Sequence, residues 1–314
     1  MIEDQRDREW AEQPDHHIID ASSADFPDLL RQIPDAPLRL YVAGNIDALH
    51  LPALAIVGSR NPTEGGRQNA YQFAKHLGRA GFCIVSGLAE GTDSAAHEGA
   101  LAGGGMTVAF LGHGIDSIYP ARNRGLAKRI RERGALCSEF PLGSAPRREH
   151  FPRRNRLISG QSLGTLVVEA ARRSGSLISA RLASEQGREI FAIPGSIHNP
   201  MSRGCHQLIR QGAKLVESAD DIVSELGPLV AHLMQTPDDP ETSGKLSAEH
   251  DADYETLLQV LGFDPATADE IAARSGLTIE HVSSMLLILE LEEKIEALAG
   301  GRYSRLHNRS GRRH

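Results

Sequence analysis

The chain has 314 residues, enough for one large domain and one small one, with 40% hydrophobic and 4% aromatic residues and a net charge of −7. No stretch approaches the roughly 20 uninterrupted apolar residues of a membrane helix, and the acidic start MIEDQRDREW lacks the basic-then-apolar layout of a signal peptide. A cytoplasmic protein is therefore expected, with Cys83, Cys137 and Cys205 as buried thiols: their number is odd, no CxxC spacing occurs, and the histidines do not pair at zinc-binding spacing.

Residues 1–37 are read as a short N-terminal segment. Residues 54–57 form an aliphatic run closed by Gly58, the pattern of a strand buried on both faces. A helix over 66–80 follows, with Ala70, Phe73, Ala74, Leu77 and Ala80 on one stripe and Gly81 as its stop. The unit repeats as a strand at 82–85, a turn at Gly87, a helix over 92–102 capped by Thr92, a strand at 107–111 and a turn at Gly112. Further strands are predicted at 135–138, 165–168 and 189–193, with a helix over 179–186. Alternating strands and helices give the α/β class: a Rossmann-like, mostly parallel sheet with helices on both faces, over residues 38–227.

From 228 to 248 the composition turns to Pro, Asp, Thr, Ser and Gly, which reads as a linker. Residues 249–308 then offer helices at 254–261, 267–275 and 278–291 and two short strands around Gly300-Gly301. This is the layout of a winged helix, with Gly276 in its helix-turn-helix and residues 309–314 as a tail. The third of these helices contains no Lys or Arg, so it lacks the phosphate anchors of a duplex reader and points to protein contact.

The net charge divides into three blocks. Residues 1–57 carry 4 basic and 11 acidic side chains, residues 58–230 carry 22 and 15, and residues 231–314 carry 8 and 15. Within the middle block, residues 121–156 hold 11 basic and 3 acidic groups. Screening confines each patch to about 8–10 Å, so a basic centre can hold a polyanion between acidic ends.

Ligands of parallel sheets bind at the carboxyl ends of the strands, and the conspicuous loops lie there. Gly58-Ser59-Arg60 allows close backbone approach to a phosphate. The run Phe151-Pro152-Arg153-Arg154-Asn155-Arg156 and the turn Arg172-Arg173-Ser174-Gly175-Ser176 read as two arginine loops, and arginine offers a planar fork that bonds two phosphate oxygens together. Gly112-His113-Gly114 is only half of a dinucleotide fingerprint, no GxxxxGK[ST] loop occurs, and no nucleophile sits beside a base at a catalytic spacing. No cofactor is expected.

Taken in order, VGSR, SGLAEGTDSAAH, LGHGIDSIYP, FPRRNRLISG, GTLVVEAARRSGSLISARLA and FAIPGSI resemble the DNA-processing protein DprA (Smf) family over about residues 38–226. The resemblance implies a non-enzymatic, Rossmann-like protein that binds single-stranded DNA, loads the recombinase RecA during natural transformation and pairs as a homodimer through the Rossmann-like domain. It implies a DNA pocket formed by Gly58, Ser59, Arg60, Gly87, Arg148, Phe151, Arg154, Asn155, Arg156, Arg173, Gly175 and Ser176, with Arg156 among the firmest members and Phe151 either stacking on a base or filling the core. Family members often begin with a small helical domain, for which the 37 residues before Leu38 are too few. The rival reading is a phosphoribohydrolase-like nucleotide-processing enzyme, suggested by the GT-x-x-E element at Gly164 to Glu169; the PGG that usually precedes that element is replaced by Gln161-Ser162-Leu163.

Overall fold

The computed structural model describes residues 5–172 and 174–234, and beyond them 257, 258, 260, 261, 266–277, 282, 285, 286, 289, 295–298 and 302–305. Two compact units divide after Met234. In chain order the first runs α1 (Gln5–Ala11), β1 (His16–Asp20), α2 (Asp28–Arg31), β2 (Arg39–Gly44), β3 (Ala53–Val57), α3 (Glu64–Arg79), β4 (Cys83–Ser86), α4 (Thr92–Ala102), β5 (Thr107–Phe110), α5 (Arg124–Arg133), β6 (Ala135–Ser138), α6 (His150–Gly160), β7 (Gly164–Val167), α7 (Gly175–Glu185), β8 (Glu189–Ala192), α8 (Arg203–Arg210), β9 (Lys214–Leu215) and α9 (Ala219–Met234).

The strands form one nine-stranded sheet in the order β1-β2-β6-β5-β4-β3-β7-β8-β9. From β6 to β9 every neighbouring pair is parallel, while β2 joins β6 and β1 joins β2 antiparallel. The central strand β3 has no exposed residue: Ala53, Ala55 and Val57 face one helical layer with α2, α6, α7 and α8, and Leu54 and Ile56 face the other with α3, α4 and α9. Burial on both faces is why these strands read as continuous aliphatic runs. Successive strands from β3 to β6 step one way across the sheet and β7 returns to the other side of β3, so the order reverses between β3 and β7. That crevice is where open α/β sheets take their ligands.

Three segments differ from their sequence reading. Residues before 38 supply β1, paired with β2 from His16 opposite Ala43 to Asp20 opposite Arg39, so the sheet reaches upstream of the expected boundary. As an edge strand of sequence HHIID, β1 lacks the alternation that would reveal it. The linker expected from 228 begins as helix, because α9 continues through Pro228 to Met234. Ile222, Val223, Leu226 and Val230 pack a helical stripe on the core, and that packing outweighs the hydrogen bond Pro228 cannot make. The FPRRNR run is the first half of α6 rather than a loop. Pro152 is tolerated there because the first-turn amides have no intrahelical partner.

In the second unit, α10 (Ala268–Ser275) opens with a capping box between Thr267 and Glu270 and stops at Gly276 with φ of 73°. Strands β10 (Ala266–Thr267), β11 (Ile295–Leu298) and β12 (Arg302–Arg305) form an antiparallel sheet in the order β10-β12-β11, as the expected hairpin requires. The helix expected at 278–291 falls mostly outside the described residues, of which Val282, Met285, Leu286 and Leu289 are buried.

Candidate nucleic-acid interface

At the β3/β7 crevice lies a pocket of about 660 Å³, lined from three directions. Gly58, Ser59 and Arg60 come from the exit of β3, Phe151, Arg154 and Asn155 from α6, and Ser174, Gly175 and Ser176 from the start of α7. Arg148 and Tyr119 complete its mouth.

The β3 exit is held by close backbone packing. Gly91, with φ of 81°, sits where a Cβ would collide with the carbonyls of Ser59 and Arg60, and the Thr92 amide donates to the Ser59 carbonyl at 3.1 Å. Gly91, not Thr92, therefore caps α4, and the Thr92 hydroxyl is buried beneath Gly58 with no hydrogen-bond partner among the described residues. The Ser59 hydroxyl accepts from the Asn61 amide at 3.0 Å and stiffens the turn. Arg60 is left exposed, with its guanidinium 5.5 Å from the centre of the Phe151 ring, a cation–π arrangement. Phe151 also faces Tyr119 at 6.0 Å, and Tyr119 is 50% exposed. An aromatic pair beside two exposed arginines, Arg60 and Arg148, thus edges the pocket.

Arg154 does something different. Its side chain takes a core position on α6 in register with Leu157 and Ile158, and the residue is 4% exposed. The guanidinium donates to the Gly87 carbonyl at 2.7 Å and to the Phe110 carbonyl, tying the exits of β4 and β5 together. Gly87 has no side chain because a Cβ would meet that guanidinium at 2.5 Å. Burial pulls the Arg154 pKa down to about 10, opposed by the neighbouring Asp93 carboxylate. Burial pushes Asp93 upward in turn, against the pull of Arg154 and of the Ala89 and Gly87 amides that donate to it. Arg154 is the beam under the pocket floor rather than a free phosphate clamp.

Arg156 is not in the pocket. It forks onto both oxygens of Glu139, at 2.7 and 2.8 Å, and its Nε donates to the Asp35 carbonyl at 3.0 Å. Two residues beyond Arg154 on a helix, its side chain leaves another face, a difference of phase that the FPRRNR run does not display. Arg153 shares the same carboxylate at 3.0 Å. Asn155 stays at the pocket and accepts from Arg154 Nε at 3.3 Å. Arg173 lies outside the described residues.

The remaining wall is the N-terminus of α7. Ser174 caps it, accepting from the Ser176 amide, and the helix directs its positive end at the pocket. Gly175 adds open space, since among the described residues no atom beyond its chain neighbours lies within 4 Å of where its Cβ would stand. Glu169, at the β7 exit, turns away to α3: the Thr63 amide and hydroxyl donate to its two oxygens at 2.8 and 2.7 Å. Tyr119 and Ser174 are pocket residues that sequence reasoning passed over, although both lie within motifs it had marked.

The family model for DNA recombination-mediator protein A matches residues 17–227, and that for the DprA winged helix domain matches residues 240–301. Protein Smf of Escherichia coli (strain K12) is 45% identical over 300 residues, which are 95% of this chain and 79% of that protein. DNA processing protein DprA of Streptococcus pneumoniae (strain R6) is 44% identical over 218 residues, 69% of this chain and 76% of its own. Its species also provides a solved structure of DNA processing protein A, which superposes with a TM-score of 0.67 at 42% identity over 71% of this chain and 78% of the other. DNA processing protein A of Helicobacter pylori, solved in work on its single-stranded DNA binding mode, gives a TM-score of 0.61 at 30% identity over 67% of this chain and 95% of that one. With the two family models together spanning most of its length and the Smf and DprA relatives this similar, the chain belongs to the DNA recombination-mediator protein A family, the DprA or Smf proteins.

Proposed function

We propose that the protein binds single-stranded DNA in the β3/β7 pocket, without catalysing a reaction, and acts in DNA recombination. The observation that carries the reading is the mouth of that pocket: Arg60 and Arg148 are exposed beside the Phe151–Tyr119 pair, facing a helix N-terminus. Arginines and the α7 terminus suit phosphates, and the two rings suit unstacked bases, which only a single strand offers freely. The single-strand binding described for the Helicobacter pylori relative supports the same assignment.

Loading of the recombinase RecA, a role in natural transformation and pairing of two copies through the Rossmann-like unit belong to the same proposal and rest on the family resemblance. The enzymatic alternative gains nothing from Glu169, whose carboxylate is occupied in holding the start of α3. Fluorescence anisotropy with a labelled single strand and the matching duplex tests the reading. Single-strand preference that collapses in Arg60→Ala supports it, and equal duplex affinity contradicts it.

A further inference from the structure

The pocket is not the end of the basic surface. Immediately beyond it is a second depression of about 340 Å³ lined by Arg172, Ile197, Arg203, His206 and Arg210, with no acidic residue among them. Arg172, Arg203 and Arg210 are exposed, and none has an ion pair among the described residues. On α8, Arg203, His206 and Arg210 fall at i, i+3 and i+7, one face of the helix, while Gly204, Cys205 and Leu208 bury the opposite face. Three arginines gathered with no ion pair among the described residues repel one another, which calls for an external anion.

The two depressions share their walls. Ala171 lines the pocket and Arg172 the depression; Met201 lines the pocket and Arg203 the depression. The Ala170 amide donates to the Met201 carbonyl and the Gly204 amide to the Ala170 carbonyl, both at 2.7 Å, so the start of α8 is fastened to the exit of β7. Gly204 permits this, because a Cβ there would meet the Ala170 carbonyl at 2.5 Å. A strand leaving the pocket past the α7 N-terminus is thereby led onto the α8 arginines.

We infer that Arg172, Arg203 and Arg210 form a second phosphate subsite that holds the continuation of the same single strand outside the pocket. The inference rests on the binding function proposed above. With an exposed isoleucine as its one apolar lining residue, the subsite grips backbone and reads no base.

The test is a salt-dependent anisotropy titration of the full chain with two oligothymidylates, of about 4 and about 16 nucleotides, spanning the usual range of single-strand site sizes. Wild type is compared with the double variant Arg203→Ala/Arg210→Ala and with Arg60→Ala. The expected result is that the double variant binds the long strand about tenfold more weakly, with a log–log salt slope shallower by about 1.4, that is about 0.7 per lost phosphate contact. Its affinity for the short strand stays unchanged, which also shows that the variant is folded. Unchanged long-strand affinity and slope in the double variant, with Arg60→Ala impaired on both strands, overturns the subsite alone. Equal loss on both strands overturns it as well. Failure of the wild type to bind either strand overturns the binding function and the subsite together, and an acidic peptide displacing neither strand while binding wild type but not the double variant reassigns the patch to a protein partner.

Discussion

Arg60 of the GSR turn and Arg154 and Arg156 of the FPRRNR run are all expected in one pocket, and they hold three different offices. Arg60 is exposed at the pocket and free to clamp a phosphate, so Arg60→Ala weakens single-strand affinity by about 1–3 kcal/mol, read by anisotropy, with little change in melting temperature. Arg156 does the reverse. Its side chain is 11% exposed and that of Glu139 3%, so Arg156→Ala leaves the buried carboxylate to the exposed Arg153 alone and costs about 1–3 kcal/mol of stability by denaturant unfolding, while the folded variant keeps its affinity. A large loss of affinity in stable, folded Arg156→Ala would return that residue to the site. Gly175 offers a subtler contrast, since nothing in the fold demands glycine there. Gly175→Ala leaves stability unchanged or raises it by up to about 1 kcal/mol, yet narrows the pocket and weakens binding. Equal binding would show that the strand does not approach the start of α7.

At the scale of elements, α4 is bolted to β5 through a buried histidine. The Thr107 hydroxyl donates to the Ile84 carbonyl at 2.6 Å, so its oxygen accepts from His97 Nδ1 at 2.6 Å, leaving Nε2 buried and unprotonated. Burial pulls the His97 pKa down to about 3. The unfolded chain's imidazole still protonates near 6.5, so stability is complete above that pH and drains away as pH falls from about 6.5 toward 3. Comparing melting temperatures of wild type and His97→Gln between neutral and mildly acidic pH isolates this group from Asp93, which burial shifts upward and which acts in the opposite sense. A flatter profile in the variant is expected, and parallel profiles would contradict it. The central elements are legible in the sequence because their signals are local: α4 and β6 carry their expected limits, and the β3 and β7 exits fall at the expected glycine and arginine turns. What escapes is tertiary. The burial stripe of α6 includes Arg154, so no apolar period announces that helix; β1 is an edge strand of polar sequence; α9 survives Pro228 through packing that only the fold supplies. The site was legible as a set of loops meeting at one sheet edge, but which arginine points inward depends on helix phase, and Arg156 lies on the wrong side of it.

For the whole molecule, the division of charge matters more than its total. An acidic chain of net charge −7 still sets the exposed Arg60 and Arg148 at one crevice, where the strand order of the sheet reverses, and the acidic residues of the C-terminal unit belong to a separate compact body. Binding of this kind depends on displaced counterions and therefore on salt. The most direct measurement is the affinity of the intact protein for a single strand and for the matching duplex across a range of salt concentrations, with Arg60→Ala beside wild type. Single-strand preference is expected at every salt concentration, with log affinity falling linearly by about 0.7 per contacted phosphate and a shallower fall in the variant. Affinity that ignores salt, or that is equal for duplex, would contradict the account.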